Sequence, residues 1–204
     1  MKFLRLQLLV AALILFAANA AFASFSYNVS IDTSSISGTL GGLDFQYNPG
    51  AGASSYTATV DFSGVTGGTL SDPSTVFTAG NVSGVLPSTV TITDNNISQL
   101  NEYFHNFTYG SNLSFNLTFA GDPTTNSSLY FSMFQDAAGT VAALTSDTTN
   151  GYAAIINMNG AATPFVTNNM TVTSDVTPTP IPAAAWLLGS GLMGLAGIRR
   201  RMNV

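Results

Sequence analysis

The sequence predicts a mainly β protein. The expected architecture is an antiparallel β-sandwich of jelly-roll type with one short helix, flanked by an N-terminal signal helix and a C-terminal transmembrane helix. Three observations predict it. Apolar and polar residues alternate at period two through much of the middle of the chain, the signature of strands with one wet face. Gly, Asn and Pro punctuate those runs, as turns require. The charges are segregated: the five cations are Lys2, Arg5, Arg199, Arg200 and Arg201, all at the two ends, and the ten acidic residues lie between Asp32 and Asp175.

The first element, residues 1–23, reads as a signal peptide. Lys2 and Arg5 form its positive start, and Leu8–Ala18 is an apolar core of 11 residues, short for a bilayer span. Ala21 and Ala23 place small side chains where a signal peptidase reads them, so cleavage is expected between Ala23 and Ser24, with Ala18-Asn19-Ala20 as the fallback.

Residues 24–176 form the expected exported domain, long enough for one core. Tyr27, Val29 and Ile31 alternate with polar residues, and so do Tyr56, Ala58, Val60 and Phe62. Val90 and Ile92 follow, then Leu113, Phe115, Leu117 and Phe119, then Leu129, Phe131 and Met133, and Val172 last. Asn48-Pro49-Gly50, Asn150-Gly151 and Asn159-Gly160 are turn signals, Asn-Gly being the strongest for a tight hairpin. One segment departs from period two. Ile97, Leu100, Phe104 and Phe107 fall three or four apart after Asn95 and Asn96 as N-caps, which predicts a short helix.

The C-terminus has three parts. Residues 177–182 (TPTPIP) favour an extended spacer, because alternating prolines disfavour helix. Residues 183–198 are uncharged and predict a transmembrane helix; from Ile181 the run is roughly 27 Å long at helical rise, near the hydrocarbon thickness of a bilayer. Residues 199–204 form a basic tail. By the positive-inside rule Arg199, Arg200 and Arg201 hold that tail in the cytoplasm and leave the middle domain outside. The helix is a weak anchor: it contains Gly189, Gly191, Gly194 and Gly197, and Ser190 and Gly194 have the spacing that allows close helix contact.

The run Pro180-Ile181-Pro182-Ala183-Ala184-Ala185-Trp186-Leu187-Leu188-Gly189-Ser190-Gly191-Leu192-Met193-Gly194-Leu195, closed by Arg199-Arg200-Arg201, closely resembles the PEP-CTERM protein-sorting segment, in its P-x-P-A-A-x-W-L-L-G-S-G-L-x-G-L variant. The resemblance implies recognition by an exosortase, a membrane cysteine protease or transpeptidase of Gram-negative, exopolysaccharide-producing bacteria, with cleavage near Pro180 to Pro182. The Glu of the family's name is Ile181 here, a substitution common in this variant. The middle domain is similar to a PEP-CTERM family of undescribed function, through Asp32–Gly38, Leu43–Gly50 and Phe104–Phe119. That likeness implies no activity and no ligand.

Composition excludes several chemistries. There is no Cys, hence no disulfide, thiolate metal site or cysteine nucleophile. With 7% charged residues, net charge −5 and no Lys or Arg between Leu6 and Ile198, the chain lacks the cations that nucleic-acid binding needs. The chain has one His and one Glu and no G-x-S-x-G elbow, so a triad would have to use His105. No cofactor is expected. Ca²⁺ is the one ion left open, at Asp136–Gly139 or Asp147–Gly151, where turn hydrogen bonding is the competing explanation. Eight N-x-[ST] sequons reflect an Asn-, Ser- and Thr-rich composition. Tyr47, Tyr56, Tyr103, Tyr109, Tyr130 and Tyr152 are candidate platforms for sugars, against the alternative that they are core residues.

The expectation is therefore a protein exported through the Sec translocon and cut by signal peptidase. It is transiently anchored in the inner membrane, processed by an exosortase, and then located at the cell surface or outside the cell. Its expected role is structural or adhesive in a biofilm or exopolysaccharide layer. The alternative is a secreted carbohydrate-binding module, and third comes a hydrolase using His105.

Overall fold

The computed structural model describes residues 25–48, 58–94, 100–121, 127–157, 162–167 and 170–176. These form β1 (Phe25–Asp32), β2 (Leu40–Asn48), β3 (Ala58–Leu70), β4 (Phe77–Ala79), β5 (Val82–Ser83), β6 (Val90–Asp94), β7 (Glu102–Gly121), β8 (Ser128–Phe134), β9 (Tyr152–Asn157), β10 (Ala162–Pro164) and β11 (Met170–Val176). Every pairing is antiparallel, and the strands join in one 11-stranded sheet.

Strand β7 organises the molecule. It has 20 residues, about four times the usual strand length. Tyr103, His105, Phe107, Tyr109, Leu113, Phe115, Leu117 and Phe119 are all buried on its inner face, and two-sided pairing satisfies its backbone. On one edge β2 pairs with Glu102–Thr108 and β1 with Asn112–Phe119. Where β2 and β1 part company, the 3₁₀ turn Ser34–Ile36 takes over. There Thr33 donates its hydroxyl to the Gly110 carbonyl at 2.7 Å, and the Gly38 amide donates to the Tyr109 carbonyl at 2.7 Å. On the other edge β3 pairs with β7 from Phe107 to Gly121, with register shifts between Ser63 and Thr66 and between Thr66 and Gly68, and β4 pairs with Glu102–Phe104. Such irregularities bend a strand and increase its twist.

The sheet thereby forms two arms that share β3 and β7. One arm adds β2, β8, β9 and β10; the other adds β1, β11, β6 and β5. The arms face each other across the core. Phe45 of β2 meets Phe115 of β7 edge to face, with ring centroids 5.3 Å apart, and both pack on Phe131 of β8 at 4.9 Å. Tyr47 meets Phe119 at 5.8 Å. Two of the edges are short: β5 has two residues, and β10 has three, ending in Pro164, which lacks an N–H for further pairing.

The mainly antiparallel β expectation holds. The layers expected as separate sheets of a jelly roll are here arms of one continuous ladder. The predicted helix through Leu100, Phe104 and Phe107 is corrected: from Glu102 onward the segment is β7. Its aromatic residues satisfy both periods, and pairing on both edges with β2, β3 and β4 decides between them. The proposed caps Asn95 and Asn96, and Ile97, lie outside the described residues. Among the described residues the helical elements are the 3₁₀ turns Ser34–Ile36 and Pro73–Thr75, and no helix is long and apolar enough to cross a membrane.

Candidate functional site

A cleft of about 460 Å³ opens on the outer face of the β2 arm, lined by Asp44, Gln46, Thr75, Phe77, Glu102, Phe104, Phe134, Ala138 and Gly139. Strand alternation places most of these residues. Leu43, Phe45 and Tyr47 point into the core, so Asp44 and Gln46 point out. On β7 the same parity sends Glu102 and Phe104 outward, and register aligns Gln46 with Glu102 and Asp44 with Phe104. Strand β4 brings Phe77 opposite Phe104. Phe104 and Phe134 rings lie 6.1 Å apart.

Two glycine-containing features shape the walls. A Cβ on Gly42 would stand 2.3 Å from the Phe104 ring, so the bare backbone there lets that ring lie across β2. The turn after β8 is tied by Asp136, whose carboxylate accepts from the amides of Thr140 and Val141 at 3.0 and 2.7 Å. That turn brings Ala138 and Gly139 to the cleft rim.

The cleft is electrostatically unusual. Asp44 is only 3% exposed although it points away from the core. Its Oδ2 accepts from Gln46 Nε2 at 2.9 Å, while Oδ1 finds no donor. The group beside it is a second carboxyl, Glu102, within hydrogen-bonding range. Burial, and then the Glu102 charge, push Asp44 up to about 7. Burial raises Glu102 too, while its bond with Asp44 pulls it down. Both carboxyls therefore favour the protonated form more than an exposed acid does. Lys and Arg are absent between Leu6 and Ile198, so no basic side chain of the domain neutralises the pair. Phe77, at 54% exposure, is the most solvent-accessible large apolar side chain among the described residues.

His105 is elsewhere, on the inner face of β7 and fully buried. Its Nε2 lies 3.0 Å from the Ser71 carbonyl, which can only accept, so Nε2 carries the hydrogen. Nδ1 then accepts from the Tyr103 hydroxyl at 3.0 Å, and that oxygen accepts from the Leu86 amide at 3.0 Å. Burial lowers the His105 pKa, so the ring is neutral. It joins the loops around Ser71 and Leu86 to β7.

The other sequence candidates divide into three groups. Tyr47, Tyr103 and Tyr109 are buried core residues, and Tyr109 donates to the Gly42 carbonyl at 2.7 Å. Tyr130 and Tyr152 are half-buried neighbours with ring centroids 4.9 Å apart, and Tyr56 lies outside the described residues. Asp136 and Asp147 accept turn amides, Asp147 from Thr149 and Asn150 at 3.0 Å each, and these bonds hold both below the usual carboxylate range. Among the described residues no three His, Asp or Glu side chains converge as metal ligands. Ala21, Ala23 and Ser24 of the expected signal cleavage, and Pro180, Ile181, Pro182, Trp186, Gly189, Ser190, Gly191, Gly194 and Arg199 to Arg201 of the expected sorting segment, lie outside the described residues.

Sequence reasoning allowed a carboxyl pair among Glu102 and the nine aspartates but had no spacing that joined Glu102 to Asp44. The available signal was that Glu102 is the chain's single Glu, but 58 positions separate the two in sequence, and only the β2–β7 register joins them. No protein-family model, curated protein or solved structure matches the chain.

Proposed function

We propose that this protein is an exported structural or adhesive component of an extracellular polysaccharide or biofilm layer. In this reading residues 1–23 direct it through the Sec translocon, and residues 183–198 hold it briefly in the inner membrane with Arg199 to Arg201 in the cytoplasm. An exosortase then cuts near Pro180 to Pro182. The observation that carries the proposal is the sequence of the C-terminal run from Pro180 to Arg201, with its prolines, single Trp, small-residue apolar stretch and terminal arginines. The segregation of all five cations to the two ends supports the same topology. The test is the mature mass of the protein from producing cells. Loss of both ends, with the C-terminal cut abolished by deleting the exosortase, is expected. A membrane form that keeps Arg199 to Arg201 regardless of the exosortase would refute it.

The cleft favours a second, compatible reading, a carbohydrate-binding role. The exposed Phe77 ring and the half-buried Phe104 and Phe134 rings, beside carboxyl and amide groups, suit the apolar faces and hydroxyls of a sugar. Saturable binding of the mature protein to the producer's polysaccharide, weakened by Phe77→Ala, is expected; no binding across a glycan panel would refute this reading. Hydrolysis through His105 gains nothing from the geometry, because both ring nitrogens are engaged inside the core.

A further inference from the structure

We propose that the cleft selects an amino sugar, with the sugar ring against Phe77 and Phe104 and the ammonium group against the carboxyls of Asp44 and Glu102. The inference rests on the carbohydrate-binding reading and names the class of glycan.

Three observations converge. Asp44 is nine-tenths buried and more, yet its Oδ1 has no donor and its neighbour is another carboxyl. Buried carboxylates are ordinarily paired with a cation, and the domain contains no Lys or Arg to provide one. A cation to face the pair would therefore come from outside the domain. The walls are three phenylalanines, and aromatic faces attract organic cations. An ammonium group also brings three donors to a site supplied mostly with acceptors. A bare metal ion would gain nothing from the rings, and a uronic or phosphorylated glycan would meet a like-charged pair. The volume of about 460 Å³ fits one or two sugar units.

Proton balance gives the pH dependence. The ammonium replaces a proton of the Asp44–Glu102 pair, and that proton leaves to solvent. Other titratable groups around the pair are Tyr130 of β8 and Tyr152 of β9 on the same outer face, with Asp72 and Asp136 in the flanking turns. Burial raises Tyr152 and turn amides lower both aspartates, so Tyr152 stays neutral and the aspartates ionised near neutrality. Binding is therefore set by the carboxyl pair on the acid side and by the ligand amine on the basic side.

The experiment is calorimetric titration of the mature protein with a glucosamine oligomer, its fully N-acetylated counterpart, a lysine oligomer of equal charge, and CaCl₂. The glucosamine oligomer is expected to bind at least tenfold more tightly than the acetylated one, with affinity falling below pH 6. Glu102→Gln is expected to erase that preference and Phe77→Ala to weaken both sugars; both sites are partly exposed, and circular dichroism reports the fold. Equal binding of the two sugars, lost in Phe77→Ala, would overturn the amino-sugar selection and leave the carbohydrate reading standing. Binding of neither sugar would overturn both. Tighter binding of the lysine oligomer, heat from CaCl₂ alone, or an unchanged preference in Glu102→Gln would overturn the inference.

Discussion

At Asp44 a carboxyl is held nearly dry beside a second carboxyl, and pH reads out that arrangement. Its folded value is about 7 against an ordinary 3.8. A raised acid stabilises the fold most fully when protonated, below the unfolded value, and that contribution is lost as pH rises through about 7. Asp44→Asn keeps the shape and removes the ionisation. It is expected to gain on the order of 1–2 kcal/mol at pH 8 and nothing at pH 4, read by urea unfolding at both pH values. His105 slopes the other way. Its folded pKa is depressed below 6.5 by burial, so its neutral form supports the fold above the unfolded value and that support is lost as pH falls through the depressed one. In Asp44→Asn the acid-side loss should therefore persist. His105→Ala would remove the donor to the Ser71 carbonyl and the acceptor of the Tyr103 hydroxyl hydrogen. The cost of such orphaned groups is about 1–3 kcal/mol, and a denaturation midpoint unchanged from the parent would contradict the hydrogen-bond assignment.

Among the elements, β7 and β3 carry the greatest demand, since each serves both arms. Strand β3 bends where Gly67 takes φ +87, and a Cβ there would stand 1.4 Å from the Asn112 carbonyl oxygen of β7. Only glycine adopts that backbone while allowing the approach. Gly67→Ala is expected to cost more than about 1 kcal/mol, the usual penalty of incompatible φ alone, measurable as a lowered Tm. The inner face of β7 was legible at Leu113, Phe115, Leu117 and Phe119, where polar residues mark the other face cleanly. It was not legible at Tyr103 to Tyr109. There Phe104 is apolar on the outer face, and the resulting pattern also matches a helix. What broke the tie is pairing with β2, β3 and β4, distant in sequence.

For the whole molecule, the β2 arm is joined to the shared strand β7 through the core. Phe45, Phe115 and Phe131 come from β2, β7 and β8 and close that joint. Phe45→Ala is expected to cost about 3–5 kcal/mol, the range for emptying a buried phenylalanine site. Chemical denaturation would check it, and a loss under 1 kcal/mol would mean the arm is held elsewhere.

The sequence by itself determined the β class, most inward-facing strand positions and the confinement of cations to the ends, because alternation and charge are properties of neighbours along the chain. It also supplied the C-terminal run whose resemblance to a sorting segment motivates the export proposal. The single bent sheet, the burial of His105 and the Asp44–Glu102 cleft were decided by tertiary structure alone. Each depends on strand register between segments far apart in sequence, and register is set by the packing of the whole core.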